Sequence, residues 1–356
     1  MTMETEKKLK IGHLGCGGHS HRNIFTSYAF SPVELMAVCD LDEEKAKEAA
    51  RKFGALRHYT DLDEMLESEE LDALFIVSGY DSGGRPLYPE LTIRALEKGV
   101  HVWIEKPPAS SVKEIEEMAE ASKKAGKHVL VGFKKAFTPS ADKVREVIHS
   151  EEFGEPHSIY ARYPQYLPAE DEVKLGPSPA PRRWFLDHVV HPASLVTSLM
   201  GPASAVTYHR DHLGGGFAIL EFPSGAVGCI HLAYGRSKGS FLERLEVLGK
   251  ETNIVVDNGV HLTYYRRLDP RTRQYGISPS FIGPDDQAPI SWEPEFSLGV
   301  LYNKQLFLLG YVPEIRYFCK CVIEDLEPEI GGLDHAAAVM KIYEAAFKPY
   351  GVRHEL

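Results

Sequence analysis

The stretch LKIGHLGCGGHS, residues 9–20, leaves this chain fewer choices of fold than any other. A short apolar run, Leu9 to Leu14, meets Gly15, Gly17 and Gly18, and helix-forming sequence follows. Strand, glycine turn and helix in that order open a dinucleotide-binding α/β domain. The first glycine permits a tight turn, and the second lets the backbone approach a pyrophosphate. The helix that follows presents free N–H groups and a positive dipole end. Ser20 stands where the pattern has its third glycine. That position mainly requires a small side chain where helix packs on strand, so serine is a mild departure. About 20 residues further on, Asp40 ends the second strand, VELMAVCD. A carboxylate there hydrogen-bonds ribose hydroxyls and repels a 2′-phosphate. No basic residue stands directly beside it in CDLDEE. The expected cofactor is therefore NAD in preference to NADP. Its expected contacts are Gly15, Cys16, Gly17, Gly18, His19, Ser20 and Asp40, joined by Ser78, Glu105 and Lys106 from later strand ends.

Strand and helix signals alternate up to about residue 150. Strands such as LDALFIVS, HVWIEK and HVLVGF are nearly continuous in apolar residues. Joined by helices, they predict a doubly wound parallel sheet covered on both faces. Thr60 or Asp61 opens one helix, Gly54 closes another, and a third runs from about Pro86 to Lys98. The second half changes character. Seven strand-like runs from PHSIYARYPQY to VHLTYYRRL are separated by Gly, Pro, Asn or Asp, with hairpin signals at Pro223–Ala226 and Asp257–Gly259. They predict a mostly antiparallel sheet, interrupted by a helix over LDHVVHPASLVTSLMG and followed by a helical tail from Tyr302 to Phe347. Two Pro-rich stretches, 167–183 and 278–296, read as long loops. Two domains result: a Rossmann dinucleotide-binding unit, 1–150, and an α+β substrate-binding and oligomerisation unit, 151–356, whose last helix can pack back on the first.

The chemistry is expected from two further stretches. HVWIEKPPA ends a strand in Glu105-Lys106-Pro107, and ligands in doubly wound folds bind at the carboxyl ends of strands. Lys106 is then aimed at the site, its direction fixed if the following peptide is cis. In WFLDHVVHPASLV, Asp187 and His191 are four residues apart and share a helix face. Pro192 suits the first turn of a helix, which predicts that the pair lies at or just before an N-terminus. Oxidising an alcohol with a nicotinamide requires a base for the hydroxyl proton, a positive group for the nascent alkoxide, and a fixed approach of the carbon. Histidine suits the first role, Lys106 the second, and Asp187 either orients the imidazole or holds a substrate hydroxyl. The same two residues also suit a helix cap and a packed histidine.

Taken together, the glycine turn, Asp40, Glu105-Lys106-Pro107, Asp187-x-x-x-His191 and VGFKKAFTPS resemble the Gfo/Idh/MocA oxidoreductases over nearly the whole chain. The resemblance implies Lys106, Asp187 and His191 as a catalytic trio and a sugar, cyclitol or sugar acid as substrate. It also implies a large sheet used to form homodimers or homotetramers. Three departures stand out: Tyr88 where the family often has histidine, Arg182-Arg183-Trp184 where it has a Gly-Gly pair, and Ser194 where it has a second aspartate. Substrate contacts are expected from Lys106, Tyr163, Arg183, Trp184, Asp187, His188 and His191. Arg182 and Arg183 either bind a carboxylate or phosphate or lie on a solvated loop. Lys134, Lys135 and Tyr166 are open between site and structural roles.

Acidic and basic residues are mixed, with a net charge of −11. That argues against nucleic acid or an anionic membrane as partner. No apolar run approaches the roughly 20 residues that span a bilayer, and the N-terminus carries no leader pattern. Five cysteines without C-x-x-C spacing suit a reducing cytoplasm. The histidines of HSHR, His188 and HRDH invite a metal reading, but they fall in different elements, so no metal is expected. Two other functions fit these residues: a glycoside-cleaving enzyme that retains NAD, and a non-catalytic nucleotide sensor.

Overall fold

A computed structural model of the chain describes residues 7–169, 172, 179–240, 242–268, 287–294 and 304–356. Its first sheet has six parallel strands in the order β3-β2-β1-β4-β5-β6. They are β1 (Leu9–Leu14), β2 (Val33–Cys39), β3 (Arg57–Tyr59), β4 (Ala73–Ile76), β5 (His101–Glu105) and β6 (Val129–Gly132). Every residue of β4, β5 and β6 is buried, as continuous apolar strands covered on both faces require. The connecting helices are α1 (Phe25–Tyr28), α2 (Glu43–Phe53), α3 (Leu62–Ser68), α4 (Tyr88–Glu97) and α5 (Val112–Ala125), with α6 (Pro139–Ile148) after β6. Their ends follow the sequence signals. Asp42, Asp61 and Ser111 accept backbone N–H bonds at N-termini, and Gly54 and Gly126 close α2 and α5 in the left-handed region. The strand order reverses between β1 and β4, which puts the crevice for a ligand at their carboxyl ends.

The second sheet has nine strands in the order β14-β13-β12-β11-β7-β10-β9-β8-β15, antiparallel except for the β7–β10 pair. They are β7 (Ser158–Tyr163), β8 (Ala205–Arg210), β9 (Gly216–Glu221), β10 (Val227–Leu232), β11 (Arg244–Leu248), β12 (Asn253–Asp257), β13 (His261–Tyr265), β14 (Ile290–Trp292) and β15 (Arg353–Glu355). Burial alternates along β9 and β10. One face packs on α7 (Pro179–Met200) and the other carries exposed Phe217, Ile219 and Val227. Three helices form the tail: α8 (Lys304–Leu308), α9 (Tyr311–Glu324) and α10 (Leu333–Ala345). Ile315, Phe318 and Cys319 of α9 pack against Phe75 and Trp103 of the first sheet. Tyr208 of β8 donates a hydrogen bond to Ile342 O of α10 at 2.9 Å.

Several expectations are corrected. Asp187 and His191 do not stand at a helix start: α7 begins at Pro179, and Pro192 lies inside it. A proline there removes one helical hydrogen bond and costs about 3 kcal/mol. Burial of Phe185, Leu186, Val189, Val190, Ala193 and Val196 along one face offsets that cost. The loop expected over 167–183 is helix from Pro179 onward; of the rest, 170, 171 and 173–178 lie outside the described residues. In the second Pro-rich stretch, Ile290–Trp292 form edge strand β14, while 278–286 and 295–296 lie outside. The tail is three helices, with left-handed breaks at Gly310 and Asp325, and its residues 302–303 are not described. None of the five cysteines is in a disulfide.

Candidate active site

The glycine turn has the shape a dinucleotide needs. Gly15 has φ 97°, and a Cβ there would stand 1.9 Å from Val77 O. Only glycine fits. A Cβ at Gly17 or Gly18 would meet nothing, so both face open space where a pyrophosphate can approach. Helical backbone runs unbroken from Gly18 to Tyr28, with a π turn at Ser20–Ile24. Ser20 Oγ donates to Gly15 O at 2.6 Å, so the serine that replaces the third glycine ties the helix back to the turn. His13 braces the same carbonyl: Nε2 donates to Gly15 O at 3.0 Å and Nδ1 accepts from Tyr28 OH at 2.7 Å. Burial lowers its pKa to about 3, so the imidazole is neutral. Asp40 Oδ2 accepts Cys16 N at 2.7 Å, and Oδ1 accepts Asp42 N at 3.0 Å. The Cys16 side chain turns into the core, and burial together with Asp40 raises its pKa to about 12.

Glu105 links this turn to the chemistry. Its Oε1 accepts from His19 Nε2 at 2.8 Å and its Oε2 from Lys106 N at 2.9 Å. Burial pushes the carboxyl upward, but the His19 bond and the charges of His19, Lys106 and Lys134 outweigh it and hold it below the usual range. The Lys106–Pro107 peptide is cis. Lys106 Nζ lies 3.4 Å from Asp187 O and 3.8 Å from Asp187 Oδ1, with both side chains about a quarter exposed. Strand end and helix, far apart in sequence, thus meet at one point. His191 is buried one turn beyond, its Nδ1 without a partner among the described residues. Burial, then the charges of Lys106, Lys134, Lys135 and His188, hold its pKa well below the usual histidine range. It is a neutral imidazole and can accept a proton. A cleft beside it is lined by Lys135, Thr138, Tyr163, Pro192 and Glu243. The Tyr163 and His191 rings are 5.8 Å apart.

Other candidates separate. Ser78 O accepts Tyr88 OH at 2.8 Å, so the tyrosine in the family's histidine position braces the loop after β4. Arg183 lies over the Tyr80 ring at 5.1 Å, near Asp187. Arg182 instead stacks on Phe347 at 4.4 Å. Trp184 is 64% exposed and His188 Nδ1 lies 2.9 Å from Trp184 O. Ser194 is buried and donates to His191 O within its own helix. Tyr166 packs against Arg210 and Tyr234, away from His191. Lys135 Nζ pairs with Glu243 at 2.7 and 2.8 Å. Lys134 Nζ donates to Tyr311 OH at 2.9 Å. Among the described residues no His, Cys, Asp and Glu group has the form of a metal site, and no helix is long and apolar enough to cross a membrane.

Sequence reasoning missed Tyr80. Its hydroxyl donates to Asp187 Oδ1 across 107 residues of chain, and its ring carries Arg183. The loop that presents it is braced by Arg85, which donates to both carboxyl oxygens of Asp81, and by a bridge from Tyr80 to Pro86. Only the Gly-Gly-Arg-Pro that follows hinted at a turn there.

Comparison with known proteins identifies the family. Residues 9–133 match the model of an oxidoreductase family with an NAD-binding Rossmann fold, GFO/IDH/MocA, and residues 141–255 match the GFO/IDH/MocA C-terminal domain. The scyllo-inositol 2-dehydrogenase (NAD(+)) of Bacillus subtilis is 25% identical over 93% of this chain and 91% of its own. The D-apiose dehydrogenase of Paraburkholderia graminis is 28% identical over 94% and 86%. A structure of an Agrobacterium radiobacter oxidoreductase in complex with NAD+, L-tartaric acid and magnesium superposes with a TM-score of 0.78, at 16% identity and 98% coverage of each chain.

Proposed function

The chain belongs to the Gfo/Idh/MocA oxidoreductase family, an NAD-binding one, and from that premise we propose that it transfers a hydride between the nicotinamide and a hydroxyl-bearing carbon of a sugar, cyclitol or sugar acid. The observation that carries this reading is the meeting of Lys106 with Asp187 beside a neutral, buried His191. NAD, when bound, supplies the hydride acceptor. The glycine turn from Gly15 to Ser20 would hold the pyrophosphate. Asp40 would take the adenosine ribose, and Ser78 and Glu105 would line the path toward Lys106.

His191 takes the substrate hydroxyl proton through Nε2, the nitrogen left available in the cleft. Lys106 stabilises the alkoxide as it forms. Asp187, fixed by the Tyr80 hydroxyl and the Lys106 ammonium, orients a neighbouring substrate hydroxyl. Tyr163 and Arg183 bound the pocket, with Trp184 and His188 at its rim. Relatives named for inositol, apiose and glucoside substrates support a polyhydroxylated ring as the substrate class. Exposed Phe217, Ile219 and Val227 on the open sheet face support a homo-oligomer.

The test is NADH absorbance with purified protein, NAD and a panel of cyclitols, aldoses, aldonic and uronic acids, run beside p-nitrophenyl glycosides. A steady rise on one polyol is the expected result. Glycoside release without NADH accumulation overturns it in favour of NAD-retaining cleavage.

A further inference from the structure

Glu314, at the fourth position of α9, is wholly buried, and neither of its carboxyl oxygens has a hydrogen-bond partner among the described residues. Such a carboxyl is costly as an anion and tolerable as a neutral acid. The helix that carries it is clamped to the cofactor wall. A Cβ at Gly310 (φ 91°) would stand 2.0 Å from Lys134 O, so only glycine allows the approach. Lys134 Nζ lies 4.6 Å from the Tyr311 ring centroid, and His19 of the glycine turn meets that ring edge-on at 5.8 Å. The charged groups facing Glu314 are Glu105 at the end of β5 and Lys134 in the turn after β6. Tyr311 lies on its own helix. Burial and the Glu105 carboxylate keep Glu314 protonated, and Lys134 opposes them.

That balance responds to an added cation. On the reading above, on which this inference rests, Glu105 and Lys106 would lie beside a bound nicotinamide, whose ring is positive in NAD+ and neutral in NADH. We propose that Glu314 is the charge-compensating residue of the cofactor site: a neutral acid in the empty and NADH-bound protein, a carboxylate when the oxidised ring is present. Its proton passes to solvent when NAD+ binds and returns when NADH takes its place, with no other bond changed. Glu314 acts through the field at Glu105 and Lys134 and is a positioning residue. A carboxylate gained in the cofactor wall would favour NAD+ over NADH by about tenfold or more.

Titration calorimetry of the full chain near neutral pH, in buffers of different ionisation enthalpy, counts protons for each nucleotide. Net release is expected with NAD+ and not with NADH. Glu314→Gln should abolish that release while still binding NAD+, and should raise Kd(NAD+)/Kd(NADH) about tenfold. Glutamine keeps the size of the neutral acid, so a purely structural side chain would move neither readout. Infrared difference spectra of the unmodified protein provide a measurement that needs no variant: a protonated carboxylic C=O band should vanish with NAD+ and persist with NADH. Equal proton counts for the two nucleotides, or a count unchanged in Glu314→Gln, overturn the proposal. The hydride-transfer reading stands or falls separately, on the substrate panel.

Discussion

Lys106→Met removes the ammonium and keeps the length and apolar stem of the side chain. At 3.8 Å, Lys106 and Asp187 attract by roughly 4 kcal/mol at an effective dielectric of ~20. Both are about a quarter exposed, so the resting pair contributes nearer ~1 kcal/mol. The larger loss comes as charge develops on the substrate oxygen. Removing one preorganised donor at such a centre typically costs about 3–4 kcal/mol, a factor of ~10²–10³ in kcat. NADH affinity, read by nucleotide fluorescence, should change by less than about threefold, because the pyrophosphate cradle is untouched. The pH profile supplies an independent readout. After burial, Lys106 is the leading influence that holds His191 below the usual histidine range. Without it the imidazole becomes more basic, and the acid limb of kcat/KM moves to higher pH. Steady-state kinetics across pH on the substrate from the panel measure both effects. A variant within about tenfold of the parent kcat, or an acid limb that stays in place, refutes the role given to Lys106.

Other perturbations probe the cofactor turn and the buried histidines. Asp40→Asn keeps an acceptor for Cys16 N and removes the charge; kcat/KM for NADP relative to NAD should rise by about tenfold or more, and an unchanged ratio removes Asp40 from the ribose site. Gly15→Ala and Gly18→Ala should part company. The first forces a Cβ into Val77 O and should cost at least ~2 kcal/mol of stability in a denaturant titration. The second meets no protein atom, so it should fold normally and lose NAD affinity alone; normal affinity there would show that the pyrophosphate lies elsewhere. His13, His191 and His335 have folded pKa values below that of a free histidine, so the unfolded chain binds protons more readily. Their contribution is complete above pH ~6.5 and is lost as pH falls toward the folded values, about 1.4 kcal/mol per pH unit for His13 and for His335, with His191 acting in the same direction and Glu314 opposing above pH ~4.5. The urea midpoint should fall between pH ~6.5 and ~5; a flat midpoint over that window would contradict it.

The parts of the site legible in the sequence are those whose signal is local. Gly15 sits where backbone geometry demands glycine, Gly17 leaves open the space a pyrophosphate needs, Asp40 closes the next strand, and Glu105-Lys106-Pro107 ends another. Asp187 and His191 were legible as a pair because four residues make one helical turn, but the start of their helix was misjudged from Pro192. A buried apolar face outweighed the proline. Strands β3, β14 and β15 carry only three residues each and owe their form to neighbouring strands, not to a pattern of their own. Tyr80 and Glu314 were invisible for another reason. One acts across 107 residues, and the other is significant only because no described residue hydrogen-bonds to it.

The packing of α9 on the first sheet bears on how the chain is made. Synthesis runs from the N-terminus, so Phe75 and Trp103 leave the ribosome long before Ile315, Phe318 and Cys319 exist to cover them. The nucleotide-binding half therefore waits, with an apolar flank uncovered, until α9 has been made. A premature stop in the tail should yield aggregate instead of a lone nucleotide-binding module. An excised module would have to carry α9 grafted after α6 to stay in solution.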